Sequence, residues 1–174
     1  MSEPHPFIAY LINKAKKDDR KMLASLRRGL GLPPGTSLEM HTYIAPWLSD
    51  FVSDDRGKSY YLVASLFAYH PENAVTGNMG GHMALAFPTD DDKKSVNLRF
   101  NQLLAAHPDD LYKQLRYIIS FLKTKKIPVN WDQLLKDITN WGHPDQFVQR
   151  YWANAFWGGY RPNKTNEQSP ENEE

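Results

Sequence analysis

Between Ser59 and Tyr69 the chain is apolar on nearly every side, through Tyr60, Tyr61, Leu62, Val63, Leu66 and Phe67. A helix with no polar face has to lie inside other helices, so this segment is expected to be the central buried helix. Pro71 ends it, and Asp54-Asp55-Arg56-Gly57 reads as a turn before it. The surrounding sequence supplies what such a helix needs. Further helices are expected over 7–16, entered through Pro6, and from a cap at Asp18 to about Arg28, stopped by Gly29 and Gly31. Another begins at a Ser37 cap and carries Leu38, Tyr43, Ile44, Trp47, Leu48 and Phe51, with Pro46 as a kink.

A long glycine-bearing loop, 73–81, precedes a short helix at about 83–87. Residues 88–94 read as an exposed acidic turn, followed by a helix over 96–106 with Leu98, Leu103 and Leu104 inward. Pro108 opens a helix over 109–125, Asn130 or Asp132 opens one to about Asn140, and a last one spans 145–157. The segments that look like strands are too short to pair. The expected class is therefore all-α: a compact bundle of about eight to nine helices with no significant sheet. Residues 1–160 are expected to form one helical domain and 161–174 a disordered acidic tail. A chain of 174 residues buries roughly 70% of its extended surface, enough for a real core.

Several chemistries are excluded or unsupported. The sequence has no cysteine, so disulfides, thiolate nucleophiles and zinc–sulfur sites are ruled out, and a reducing cytoplasm suits it without being required. No apolar run approaches the ~20 residues that cross a bilayer, so no membrane partner is expected, and 1–6 does not read as a signal peptide. His5, His41, His70, His82, His107 and His143 are scattered without metal-ligand spacing. Asp90-Asp91-Asp92 could hold magnesium but reads as solvated surface. Gly77-Asn78-Met79-Gly80-Gly81-His82 lacks the Gly-Lys-Ser/Thr ending of a phosphate loop and follows no strand, so it reads as a helix-entry loop. No catalytic residue, metal or cofactor is expected.

Charge is the remaining signal. Lys164 against Glu167, Glu171, Glu173 and Glu174 leaves 163–174 at −3, and the rest of the chain, from a total of +1, at +4. Within that body, Lys14, Lys16, Lys17, Arg20, Lys21, Arg27 and Arg28 face only Asp18 and Asp19. A second run, Lys113, Arg116, Lys123, Lys125 and Lys126, contains no acid. On the helix after Asp18, Arg20 and Arg27 border the Leu23–Leu26–Leu30 stripe, with Lys17, Lys21 and Arg28 further round. On the later helix Leu111, Leu115, Ile118 and Leu122 point inward, and Lys113, Arg116 and Lys123 share an outer flank.

Each flank is either a solvated surface or half of a groove for a polyanion, whose phosphates arginine grips in bidentate fashion. Trp131, Trp141, Trp152, Phe156 and Trp157 read mainly as core or interface, with base stacking as the other use. Arg150 stands between Phe147 and the Tyr151-Trp152 pair.

An ordered set of motifs resembles one family. Leu26-Arg27-Arg28-Gly29-Leu30-Gly31 precedes Pro33-Pro34-Gly35; then come Tyr61-Leu62-Val63-Ala64-Ser65-Leu66-Phe67-Ala68-Tyr69-His70-Pro71 and Gly77-Asn78-Met79-Gly80. Leu98-Arg99-Phe100-Asn101-Gln102-Leu103-Leu104, Leu115-Arg116 through Leu122-Lys123, Ile127-Pro128-Val129-Asn130-Trp131 and Val148-Gln149-Arg150-Tyr151-Trp152-Ala153 follow. The set resembles the CasB family, the small subunits of the type I-E CRISPR Cascade complex.

That resemblance implies an all-helical, non-catalytic subunit that binds single- and double-stranded nucleic acid without sequence specificity and stabilises the R-loop. It implies crRNA, target and non-target DNA strands, other Cascade subunits and a second copy of the chain as partners. The nucleic-acid-binding residues carried over are Arg27, Arg28, Arg99, Arg116, Arg150 and Lys123; Arg20 joins them from its place on the helix. Leu98 stands where the family often has a cation before the Phe of the third motif. The alternative is a helical adaptor that bridges protein partners without touching nucleic acid.

Overall fold

The computed structural model describes residues 3–49, 53–86 and 90–158, with the backbone alone at 90–92. Within them lie nine α-helices: α1 (Pro6–Lys16), α2 (Arg20–Arg27), α3 (Leu38–Ile44), α4 (Asp54–Tyr69), α5 (Met79–Ala84), α6 (Asp90–Leu104), α7 (Leu111–Thr124), α8 (Trp131–Thr139) and α9 (Phe147–Trp157). The chain is all-α; the one strand-like pairing among the described residues is a parallel bridge between Asn73 and Val129. The expected tail, 161–174, lies outside them, as do Phe51 and the side chains of Asp90, Asp91 and Asp92.

The central helix is α4, buried continuously from Tyr61 to Ala68. Its small residues Ala64, Ser65 and Ala68 let neighbours approach, and α1, α2, α3, α7 and α8 all pack on it. The buried Ser65 hydroxyl donates to Leu62 O at 2.9 Å, so it is satisfied within its apolar surround. The end of α4 is pinned by His70, whose ring bonds Ile127 O at 2.8 Å, and by Trp131, whose indole donates to Glu72 O at 3.1 Å.

Several boundaries differ from expectation. Asp54–Gly57 is no turn but the start of α4: Ser53 caps it, and Asp54 and Asp55 sit where the helix dipole favours anions. The same preference makes 90–94 part of α6 rather than an exposed turn. Asp19, not Asp18, caps α2, accepting Met22 N–H at 3.1 Å; Asp18 turns the corner at φ +53°, which Asp tolerates. Ser37 makes no side-chain cap bond, and α3 stops at Ile44, passing into a 3₁₀ turn where Pro46 has no N–H to give. Asn78 starts α5 early by accepting Gly81 N–H. On α6 the inward residues are Val96, Phe100 and Leu103, at helical spacing; Leu98 falls off that stripe and is 59% exposed.

The C-terminal third packs by close backbone contact. Gly80 of α5 lies directly on the Trp152 carbonyl of α9, where any side chain would collide. Trp131, Trp141 and Trp152 are core, as the packing reading expects, whereas Trp157 is part-exposed and donates to Asn97 Oδ1. The Trp152 indole donates to buried Asp137 at 2.6 Å, and burial raises that carboxyl's pKa.

Candidate nucleic-acid interface

Helix α7 exists because Leu111, Leu115, Ile118, Ile119 and Leu122 bury one stripe against α4 and α6. Its remaining circumference has no acid from Leu111 to Lys126. Arg116 and Lys123, seven residues apart, share one border of the stripe. Phe121 and Lys125 share the other, and Lys113, Tyr117 and Thr124 face outward between them.

The first border is tied to α2. The Arg116 guanidinium packs on Gly31, which sits at φ +81°, and a side chain at Gly31 would run into it. Gly31 comes three residues after Arg28, so the loop that leaves the basic end of α2 meets α7 at this junction. Further along, the Lys123 ammonium donates to Tyr69 O at 2.7 Å and lies 3.9 Å from the Tyr69 ring centroid. On the second border, Arg99 of α6 lies 5.3 Å from the centroid of Phe121, with Lys125 at 5.8 Å from the same ring. Arg99 also donates to Ser95 Oγ at 3.4 Å.

All seven cations proposed from sequence are exposed. Two are ion-paired: Arg20 with Asp18 at 2.8 Å and Arg28 with Glu39. Lys113, from the acid-free run, finds Asp110 of the preceding turn at 2.7 Å. Such exposed pairs are weak and salt-screened, so a phosphate can displace the carboxylate. Among the described side chains, no carboxylate stands within ion-pair distance of Arg27, Arg99, Arg116, Lys123 or Arg150. Arg27 folds back to donate to Leu23 O at 3.2 Å, which holds its guanidinium beside the helix.

The structure therefore sets Arg116, seated on Gly31 of the loop after α2, and Lys123 on one side of α7 and Arg99 on the other, while Arg27 turns back to Leu23 and Arg28 to Glu39 of α3. Arg20 stands at the far end of α2. Arg150 points away from the Val148–Trp152–Phe156 stripe of α9 and bonds the Asp145 carbonyl. No hydrogen bond, ion pair or ring contact among the described residues joins Arg150 to α2, α6 or α7. Two residues of this face were absent from the candidate set: Lys125, beside Arg99, and Tyr117. Plotting 111–125 on a helix places both outside the leucine stripe, so the signal was available.

Other places carry less. A cleft of about 910 Å³ is lined by Lys58, Asp55, Asp109, Tyr112 and Trp141, but Lys58 is paired with Asp54 and Asp55. In Gly77–His82 the Gly81 amide is taken by Asn78 and the Gly77 carbonyl by Asn130, so the loop's polar groups serve the fold. Among the described residues there is no cluster of three potential metal ligands, and no helix is long and apolar enough to cross a membrane.

Comparison with known proteins adds an independent line. The family model for CRISPR-associated protein Cse2 matches residues 22–157. A CRISPR-associated protein Cse2 from Thermus thermophilus is 30% identical over 138 residues, covering 78% of each chain. The crystal structure of CasB from Thermus thermophilus superposes with a TM-score of 0.78 at 26% identity, covering 91% of this chain and 99% of that one. A chain of a CRISPR RNA-guided surveillance complex shares the fold, with a TM-score of 0.73 at 23% identity over 86% of this chain and 91% of its own.

Proposed function

This chain belongs to the CRISPR-associated Cse2 family, and from that premise we propose that it is a non-catalytic subunit of a Cascade-type CRISPR effector in the prokaryotic cytoplasm. In that role it holds nucleic acid without reading its sequence and stabilises the R-loop, target and displaced strand alike. Its partners are crRNA and DNA strands, the other Cascade subunits and a second copy of itself.

The observation that carries the reading is the seat of Arg116 on Gly31. It sets the loop that follows the arginine pair of α2 against the acid-free flank of α7, which supports a path on which a phosphate backbone would meet successive cations on rigid supports. The mechanism is electrostatic: each phosphate engaged releases condensed counterions, and arginine adds bidentate hydrogen bonds. Arg99 extends the surface on the α6 side. Arg20 and Arg150 belong to it only through a strand long enough to pass α2 or reach α9.

A salt titration tests this. With about 5 phosphates engaged, log K for random single-stranded DNA should fall against log salt with a slope of roughly −3.5, and for duplex with roughly −4.5. Replacing Arg27, Arg28 and Arg116 together by alanine should flatten the slope by about 2 and weaken all sequences alike, with helicity intact. Unchanged affinity and slope at low salt would overturn the assignment. Absence of any salt-dependent shift in the intact protein would favour an adaptor that bridges proteins only.

A further inference from the structure

We infer that Tyr117 is a base-stacking platform that makes this surface favour unpaired over duplex nucleic acid. The inference rests on the polyanion reading and deepens it. Cations and rings alternate around α7. Lys113 lies 5.5 Å from the Tyr112 ring, Lys123 lies 3.9 Å from Tyr69, and Arg99 and Lys125 both lie against Phe121. Those three rings are half-buried and each already carries a cation. Tyr117 differs. It is 64% exposed and, among the described residues, meets no ring, cation or hydrogen-bond partner.

Its position gives that free ring a use. Tyr117 projects from the outward face of α7, between the Arg116–Lys123 border and the Phe121–Lys125 border. A strand whose phosphates follow either border carries its bases past this ring. An unpaired base can lay its face on the phenol, and every base has such a face, so the contact is sequence-tolerant. A paired base is already stacked within its duplex and cannot offer that face without unpairing. The other large exposed apolar side chains serve this less well. Leu32, Leu38, Val75, Leu85 and Leu98 are aliphatic, Tyr151 already meets the Phe147 ring, and Trp157 already packs on Phe100 and Phe156 and donates to Asn97.

The test uses the full chain with a random-sequence single strand, the matching duplex and an abasic strand of equal length, all at one salt concentration. Tyr117→Ala should lose roughly 5- to 100-fold in single-strand affinity. Duplex and abasic-strand affinities, and every salt slope, should stay at wild-type values. Tyr117→Phe keeps the ring and should bind as wild type does. An equal loss on single strand and duplex, or no loss on either, overturns the inference and leaves the tyrosine free to contact protein. Wild-type protein that binds none of the probes at low salt removes the polyanion reading itself, a result distinct from an unchanged single-strand preference.

Discussion

His82 shows how a residue that resembled part of a ligand loop is committed to the fold. Its Nε2 accepts the Asn130 backbone N–H at 3.0 Å, and burial lowers its pKa from 6.5 to about 4. The native state thus needs the neutral ring; a proton on Nε2 would set donor against donor. The unfolded chain takes that proton near pH 6.5 and the folded chain only near pH 4, so His82 contributes stability above pH 6.5 that drains away as pH falls to about 4. The amount is on the order of 2–3 kcal/mol. Asp137 acts in the opposite sense, because burial raises its pKa and the folded state holds its proton longer as pH rises. His82→Gln, whose amide oxygen can still accept from Asn130, separates the two. Denaturant unfolding at pH 7 and at pH 4.5 should show wild type losing more stability than the variant. Parallel losses would mean that His82 does not titrate between those values.

The start of α2 carries a prediction at the scale of an element. Asp19 accepts Met22 N–H, and that bond together with Lys14 holds its carboxyl below the usual range. Asp18 only turns the corner. Asp19→Ala should lower the melting temperature by about 2–4 °C, whereas Asp18→Gly, which suits φ +53°, should leave it unchanged or raise it. The reverse order would move the cap to Asp18, as the sequence alone suggested. Two adjacent aspartates look alike in sequence, and only backbone dihedrals separate them. The same limit explains the other boundary errors: the acids that begin α4 and α6 read as turns, although a helix N-terminus favours them equally well. Periodicity was legible where it was strong, as in the apolar girth of α4 and the leucine stripe of α7. The candidate site was half legible. Wheel geometry placed Arg116 and Lys123 on one flank, but no local pattern could show that Gly31 is the seat of Arg116, or that Arg99 comes to Phe121. Those are contacts between distant segments, set by how α2 and α6 dock. Leu98 misled because a leucine is assumed to be buried, and its helix had better residues for that stripe.

The whole molecule is joined by one apolar cluster that runs from Phe7 to Phe156. Its ends are cross-linked: His5 N–H donates to Asp132 of α8 at 2.6 Å, across 127 positions of sequence, and α4 touches both halves. No described helix has a core of its own, since α5 rests on α9 and α2 on α4. Helices α1 to α9 are therefore expected to unfold in one cooperative step. Trp47 reports the N-terminal half through its contacts with Phe7 and Tyr10, while Trp131, Trp141, Trp152 and Trp157 report the other. Replacing Trp47 by Phe isolates the second group. Its fluorescence midpoint in denaturant should coincide with that of far-ultraviolet circular dichroism, which sums over all helices. Two separated transitions would show that α1–α3 melt apart from α8 and α9. The consequence reaches the proposed binding surface, because Arg116 belongs to α7 and its seat to the loop after α2. If those elements come apart independently, the cations are no longer held at fixed spacing, and the loss of side-chain entropy on engaging phosphate falls on binding instead of on folding.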